Sequence, residues 1–84
     1  KVHTLKRGNA EALEAIAHEH ENSMVVGKSI EEIVLPEGAF IAAVVSSQGE
    51  IRAVHHTTII QPDDHVIVFI SNREAVAEIE TLFE

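Results

Sequence analysis

The chain has no cysteine, tryptophan or tyrosine, only three phenylalanines and two prolines, and six lysines and arginines against fourteen aspartates and glutamates. Without cysteine there is no disulfide framework, no thiolate zinc site and no thiol nucleophile, a composition that fits a reducing, cytoplasmic compartment. With few aromatics, the 45% hydrophobic fraction must be an aliphatic core of Val, Ile, Leu and Ala, suited to a sheet covered by helices. The formal charge of −8 leaves no contiguous basic patch for nucleic acid or an anionic membrane, since Lys6-Arg7 is the one cationic cluster. Acidic residues, Gly or Pro interrupt every apolar run well short of the roughly 18 residues that direct membrane insertion requires, and no secretory apolar region is present.

At 84 residues the chain has room for one domain and one core, which buries roughly 60 to 65% of the surface of the unfolded chain. Lys1 leads straight into the strand-like Val2-His3-Thr4-Leu5 with no initiator Met, which predicts a piece of a longer protein.

Weak alternation over 2–7 ends at the turn signal Gly8-Asn9. Residues 10–18 carry two patterns at once. Glu11, Ala12, Leu13, Glu14 and Ala15 favour helix by propensity, whereas Leu13, Ala15 and Ala17 alternate against Glu14, Ile16 and His18 as in a strand. Local propensity alone leans to helix. A polar loop follows over 19–23, and Met24-Val25-Val26-Gly27 returns to the core.

Ser29 can cap a short helix over 29–33, with Glu32 reaching back in a capping box and Ile30 and Ile33 facing inward. Pro36-Glu37-Gly38 ends it. The run Phe40-Ile41-Ala42-Ala43-Val44-Val45 predicts a strand buried on both faces or nearly so, and Ser46-Ser47-Gln48-Gly49 a hairpin loop into a strand over 50–54. In that second strand Ile51 and Ala53 oppose Glu50 and Arg52, which predicts that one face is wet. The turn Gln61-Pro62-Asp63-Asp64 precedes a strand over 65–70. Ser71 with Glu74 forms a second capping box for an amphipathic helix over 73–83, its apolar stripe being Val76, Ile79, Leu82 and Phe83.

Several groups invite a chemical reading. His18 and His20 share a face if their segment is extended and make a weak metal candidate that lacks a third ligand; His55 and His56, being adjacent, point to opposite faces. Lys28 and Ser29 at a helix start are a weak anion candidate. Gly27-Lys28-Ser29 ends like a phosphate-binding loop, but Asn22 stands where that motif needs its first Gly. The acidic pairs Glu31-Glu32 and Asp63-Asp64 are accounted for by a helix start and a turn, with no twelve-residue calcium loop around them. Ser46, Ser47 and Ser71 lie in turns without a nucleophile elbow. No catalytic residue and no cofactor site emerges.

Val26-Gly27-Lys28-Ser29-Ile30-Glu31-Glu32-Ile33, the Pro36-Glu37-Gly38 break, the strand from Phe40, and Gln61-Pro62-Asp63-Asp64-His65-Val66-Ile67-Val68-Phe69 together resemble the TrkA-C (RCK_C) regulatory domains of potassium uptake and channel systems. Val2-His3-Thr4-Leu5-Lys6-Arg7-Gly8 with Ala10-Glu11-Ala12 is similar to the segment that joins this domain to a nucleotide-binding half in TrkA-type proteins. The resemblance implies residues 1–9 as a joining segment and 10–84 as the regulatory domain. It implies an α+β fold, a small mostly antiparallel sheet with one short and one longer C-terminal helix packed on it, in which 10–18 is a strand against its propensity.

It further implies a noncatalytic homodimeric domain, partnered through the full-length protein with a membrane potassium transporter and peripheral to the inner face of the plasma membrane. NAD(H) or ATP is expected in a separate N-terminal domain, and none of that domain's Gly-rich apparatus is present here. Two departures stand out. The common Pro-Gly-Asp turn is Pro62-Asp63-Asp64, which puts an Asp where Gly is favoured. Where relatives that bind cyclic di-AMP offer basic and amide groups, this chain offers Val34-Leu35-Pro36-Glu37, which has no cation for a doubly anionic ligand. The alternatives are a metal- or small-anion-sensing domain, or the same module appended to another ion carrier.

Overall fold

The structure is a computed structural model that describes residues 2–7 and 10–84, with side chains from residue 11 onward. Five strands form one sheet: β1 (Val2–Arg7), β2 (Ala10–Ile16), β3 (Ala39–Val45), β4 (Ile51–Arg52) and β5 (His65–Ile70), in the order β1-β2-β5-β3-β4 with each pairing antiparallel. One α-helix, α1 (Ala75–Leu82), follows β5. The α+β expectation holds, and the sheet is antiparallel throughout its described pairs. The Gly8-Asn9 turn lies outside the described residues.

Residues 10–18, where two patterns competed, form β2, paired on one side with β1 and on the other with β5. A strand with a neighbour on each side satisfies both rows of its backbone donors and acceptors, and that outweighs a helix preference of a few tenths of a kcal/mol per residue. The alternation is realised, with Leu13, Ala15 and Ala17 fully buried and Ala12, Glu14 and Ile16 on the other face. The ladder continues past the strand end, where the Ala17 N–H donates to the Asp64 carbonyl at 2.9 Å and the Asp63 N–H to the Ala17 carbonyl at 2.7 Å.

The short helix expected over 29–33 is a single 3-10 turn, Ile30–Glu32, so the described residues hold one α-helix where two helices were expected. The Ile30 N–H donates to the Thr58 carbonyl and the Glu31 N–H to the His56 carbonyl, Ser29 bridges to Ile59, and the Ile33 N–H closes the turn on the Ile30 carbonyl at 3.2 Å. Those bonds draw the segment against 55–60 and leave Ile33 extended at φ −83°, ψ 119°. Ile33 is buried and Ile30 packs against the core, as expected.

The helix start also differs. Ser71 and Glu74 make no capping box; the Ser71 hydroxyl donates to the Gly38 carbonyl, and the Asn72 side-chain carbonyl accepts the Glu74 N–H at 3.0 Å. Asn72, one residue past Ser71, makes this local turn, and α1 begins at Ala75 rather than Arg73. Ala75, Ile79 and Phe83 then bury themselves against Leu13, Ile41, Val66 and Val68 of one sheet face. Val25, Ile33 and Ile60 from the connecting segments complete this core. Each of the Val, Ile, Leu and Phe side chains contributes about 1.5 to 3 kcal/mol on burial.

β3 is not covered on both faces. Ile41 and Val44 point into the core, but Phe40 and Ala42 are exposed, and a register shift between Ile41 and Ala43 keeps the alternation in phase across the extra residue.

β4 is two residues long rather than the five expected over 50–54, and its wet face is the one that carries Ile51. Ile51 is 80% exposed and Arg52 turns inward, because the buried carboxylate of Asp64 draws its guanidinium. Asp63, at the position the Pro turn reserves for Gly, takes φ +65°. The turn is built as expected, in the left-handed region Asp tolerates.

Candidate functional site

α1 occupies one face of the sheet, and the register fixes what stands on the other. Three cross-strand rows lie there: Ile51, Val45, His65 and Ile16; Ala43, Ile67 and Glu14; Phe40, Phe69 and Ala12. Every described residue of these rows is at least partly accessible, Phe40 at 57% and Phe69 at 44%. The two rings stack edge to face with centroids 5.5 Å apart, the arrangement their ring quadrupoles favour.

Among the residues with described side chains, the rows hold eight apolar side chains, one carboxylate and one imidazole. An antiparallel sheet that faces water on one side normally alternates apolar inward with polar outward. This outer face does not, and exposed contiguous apolar surface of that kind marks a contact site. The two polar groups meet in the middle of it. Nδ1 of His65 lies 3.0 Å from a carboxylate oxygen of Glu14, each side chain a little over one-third accessible.

On the opposite side a second polar cluster holds the chain that leads into β5. Asp64, 2% exposed, accepts the Gln61 N–H at 2.8 Å and the Arg52 guanidinium on the same oxygen, and Arg52 also donates to the Ile59 carbonyl. One ion pair thereby ties β4 to the Pro62 turn that sets the register of β5. Glu11, buried on β2, meets the exposed Arg73 Nε at 3.4 Å, which ties the start of the helical segment to the sheet.

The residues marked in the sequence fall elsewhere. The ring nitrogens of His18 and His20 take different partners: His18 stands 3.7 Å from Asp63, and His20 contacts the terminal Glu84 carbonyl. Among the described residues no three histidine, aspartate or glutamate side chains stand close enough to hold a metal ion. Ser29 is buried, and its N–H and hydroxyl both donate to one oxygen of Glu32, at 2.8 and 2.9 Å. The Ser29 backbone bond, its hydroxyl bond and the nearby Lys28 charge hold the Glu32 carboxyl below its usual range, in that order of strength among the lowering effects and against slight desolvation. The donors that an anion would use at Ser29 are thus directed at a carboxylate of the chain itself.

His55 and His56 are exposed in the loop before Ile59. Glu14, His65 and Arg52 were not marked in the sequence as site residues, and Asp64 was read there as part of a turn. The signal for Glu14 was the period-two reading of 10–18, which places an acid on a strand face among Ala12 and Ile16; the pairing with His65, 51 residues away, depends on register. Among the described residues no helix is long and apolar enough to cross a membrane.

Residues 9–84 match the model of the TrkA-C domain family. Over 84 residues, 99% of the chain, it is 45% identical to the Trk system potassium uptake protein TrkA of Vibrio alginolyticus, 43% to that of Halomonas elongata and 40% to that of Haemophilus influenzae. It spans 18% of the length of each of these relatives. The chain belongs to the TrkA-C domain family.

Proposed function

We propose that this chain is a noncatalytic regulatory and pairing domain of a TrkA-type potassium uptake protein. Residues 1–9 lead into it from an upstream nucleotide-binding domain, which carries NAD(H) or ATP. The assembly works on the cytoplasmic face of the membrane, bound to a potassium transporter subunit. Pairing of two such domains relays the ligand state of the upstream half to the transporter, a task that needs an interface with two arrangements of similar energy rather than a reacting group.

The observation that carries this reading is the apolar outer sheet face on a domain whose core is already closed on the other side. The family membership and the likeness to potassium uptake proteins supply the biological setting. The hydroxyls fit a structural role: Ser46 Oγ accepts the Gln48 and Glu50 N–H groups of the hairpin, and Ser71 Oγ donates to the Gly38 carbonyl.

Two measurements test the reading. Sedimentation of the chain at micromolar concentration should show a dimer, and a strict monomer would sink the pairing. A chimera in which this chain replaces the matching segment of one of the TrkA relatives should support potassium-limited growth. A chimera that accumulates to normal levels and gives no growth refutes the uptake role.

A further inference from the structure

Two of the connecting segments pair with each other rather than with the sheet. Residues 27–31 and 56–60 run antiparallel, with Ser29 bridging to Ile59 at the centre. The Gly27 N–H donates to the Ile60 carbonyl at 2.8 Å and the Ile60 N–H to the Lys28 carbonyl at 2.9 Å. Further along, the Ile30 N–H donates to the Thr58 carbonyl at 2.9 Å and the Glu31 N–H to the His56 carbonyl at 3.0 Å. Among the described residues no backbone hydrogen bond joins this small ladder to a strand of the sheet. Its anchors are of other kinds. Ile60 is fully buried in the core and Ile30 packs against it, Thr58 Oγ1 donates to the Ala53 carbonyl at 3.0 Å, and the Arg52 guanidinium donates to the Ile59 carbonyl.

Arg52 stands between this ladder and the part of the chain that the sheet holds. Its other hydrogen bond goes to Asp64. The Asp64 carbonyl accepts the Ala17 N–H at 2.9 Å and the Asp63 N–H donates to the Ala17 carbonyl at 2.7 Å, so the chain past Pro62 is fixed to the end of β2. One guanidinium therefore spans the Pro62 turn, from a carbonyl in the middle of the ladder to a carboxylate that does not move with it. At the other side of the ladder Gly27 lies at φ +84° with open space around it.

We propose that 27–31 and 56–60 form a flap that opens as one piece while the sheet and α1 stay folded, and that Arg52 is the latch that sets how often it opens. The proposal concerns the domain alone and holds whether or not two copies pair. A unit with its own internal hydrogen bonds and few to its surroundings opens cooperatively, at a lower free energy than global unfolding. Ile60 must leave the core for water when this happens, which keeps the open form rare and makes the flap a discrete unit rather than a fraying loop. Such a flap is a two-state element that a ligand or partner preferring one form would bias.

The opposite end of the sheet supplies a control. β5 runs from His65, next to the latch, to Ile70, and the following Ser71 N–H donates to the Gly38 carbonyl at 2.9 Å. Six residues of extended chain put roughly 20 Å between the two ends. Opening the flap leaves the Gly38–Ser71 contact in place, whereas global unfolding breaks it.

The test is native-state amide hydrogen exchange of the 84-residue chain, read by NMR across low urea concentrations. The Gly27, Ile30, Glu31 and Ile60 amides should share one protection factor and one small urea slope, at least about tenfold less protected than the amides of the β2–β5 ladder. Arg52→Lys keeps a positive charge for Asp64 but lacks the planar fork that reaches both partners, and it should speed the flap amides by roughly tenfold. Gly38→Ala should speed the β2–β5 amides by at least about fivefold and leave the flap amides within about twofold of the parent chain.

Flap amides that share the protection and urea slope of the β2–β5 ladder, or that speed up with it in Gly38→Ala, overturn the flap. Flap amides that exchange at unrelated rates overturn it as well, since they report separate fraying. A flap that opens as a unit but is indifferent to Arg52→Lys overturns the latch.

Discussion

Removing Arg52 should destabilise this domain more than removing the charge of its partner. Asp64 is 2% accessible and Arg52 25%, so the two ends of the pair stand in different solvent. Arg52→Ala leaves a buried carboxylate with the Gln61 N–H as its remaining described partner and frees the Ile59 carbonyl from the guanidinium. Breaking a fully buried pair costs about 3 to 5 kcal/mol. The quarter exposure of Arg52 lets water reach the vacated site, which lowers the expected loss to about 2 to 3 kcal/mol. A domain of this size has about 4 to 13 kcal/mol in total, and the melting temperature should fall by about 10 to 20 °C.

Asp64→Asn keeps an acceptor for the Gln61 N–H and leaves a guanidinium that can rehydrate, so it should cost about 1 to 2 kcal/mol. The decisive variant is the double one. With no charge left buried, Arg52→Ala/Asp64→Asn should be more stable than Arg52→Ala alone by about 1 kcal/mol, a coupling of opposite sign to simple additivity. Urea unfolding followed by circular dichroism reads all four chains. An Arg52→Ala chain within about 0.5 kcal/mol of the parent, or a double variant weaker than Arg52→Ala, refutes the view that a buried charge is what Arg52 compensates.

Three further substitutions probe the cap and the turns. The Glu32 carboxyl is lowered in the folded state, so its contribution is complete above the unfolded value near 4.5 and fades as pH drops through the lower folded value; in an NMR titration its carboxylate should protonate later on acidification than the exposed glutamates, and Ser29→Ala should move it back toward them. Gly38 and Asp63 both sit at positive φ, at +84° and +65°, but with opposite expectations. A Cβ on Gly38 would stand 3.0 Å from the Ser71 hydroxyl oxygen and 3.3 Å from Asn72 Cβ, so Gly38→Ala should cost about 1 to 2 kcal/mol, whereas Asp63→Gly relieves the left-handed strain and should stabilise by about 0.5 kcal/mol after the entropy of glycine is counted. Thermal melts that rank the two variants in the reverse order would refute this assignment.

The elements legible in the sequence were those whose local pattern and tertiary role agree. The apolar run at 65–70 became β5 with its predicted bounds, and Val76, Ile79, Leu82 and Phe83 packed as a helical stripe. The failures share one cause, which is that a distant partner decided the outcome. The segment at 29–33 was tied to 55–60 through the Ser29–Ile59 bridge and the Ile30 and Glu31 N–H groups, which leaves Ile33 extended and only a 3-10 turn before it. Arg52 followed a buried carboxylate twelve residues away and took Ile51 out to solvent with it. Residues 10–18 show the same effect in the other direction, where family resemblance supplied the strand that composition argued against. Of the candidate site, the sequence showed the apolar residues but not that Glu14 and His65 meet, because proximity across β2 and β5 is a property of register.

The one misjudged feature of β3 bears most directly on function. Its unbroken apolar run predicted burial on both faces, and such runs do belong to strands covered on two sides. The domain covers one. A single helix of eight residues can shield only part of a sheet, and the chain spends it on Val44, Val66, Val68 and their neighbours. A sequence selected for a free-standing domain would place polar residues at Phe40, Val45, Ile51, Ile67 and Phe69, because leaving them apolar invites association and gains nothing for the monomer. The composition of β3 and β5 is therefore that of a doubly covered sheet, and the proposed second copy supplies the cover that the fold itself lacks. That makes the Phe40→Glu chain the most informative single variant. If the outer face is a pairing surface, a new charge there should abolish assembly while leaving the melting curve in place, which an internal core position could not do.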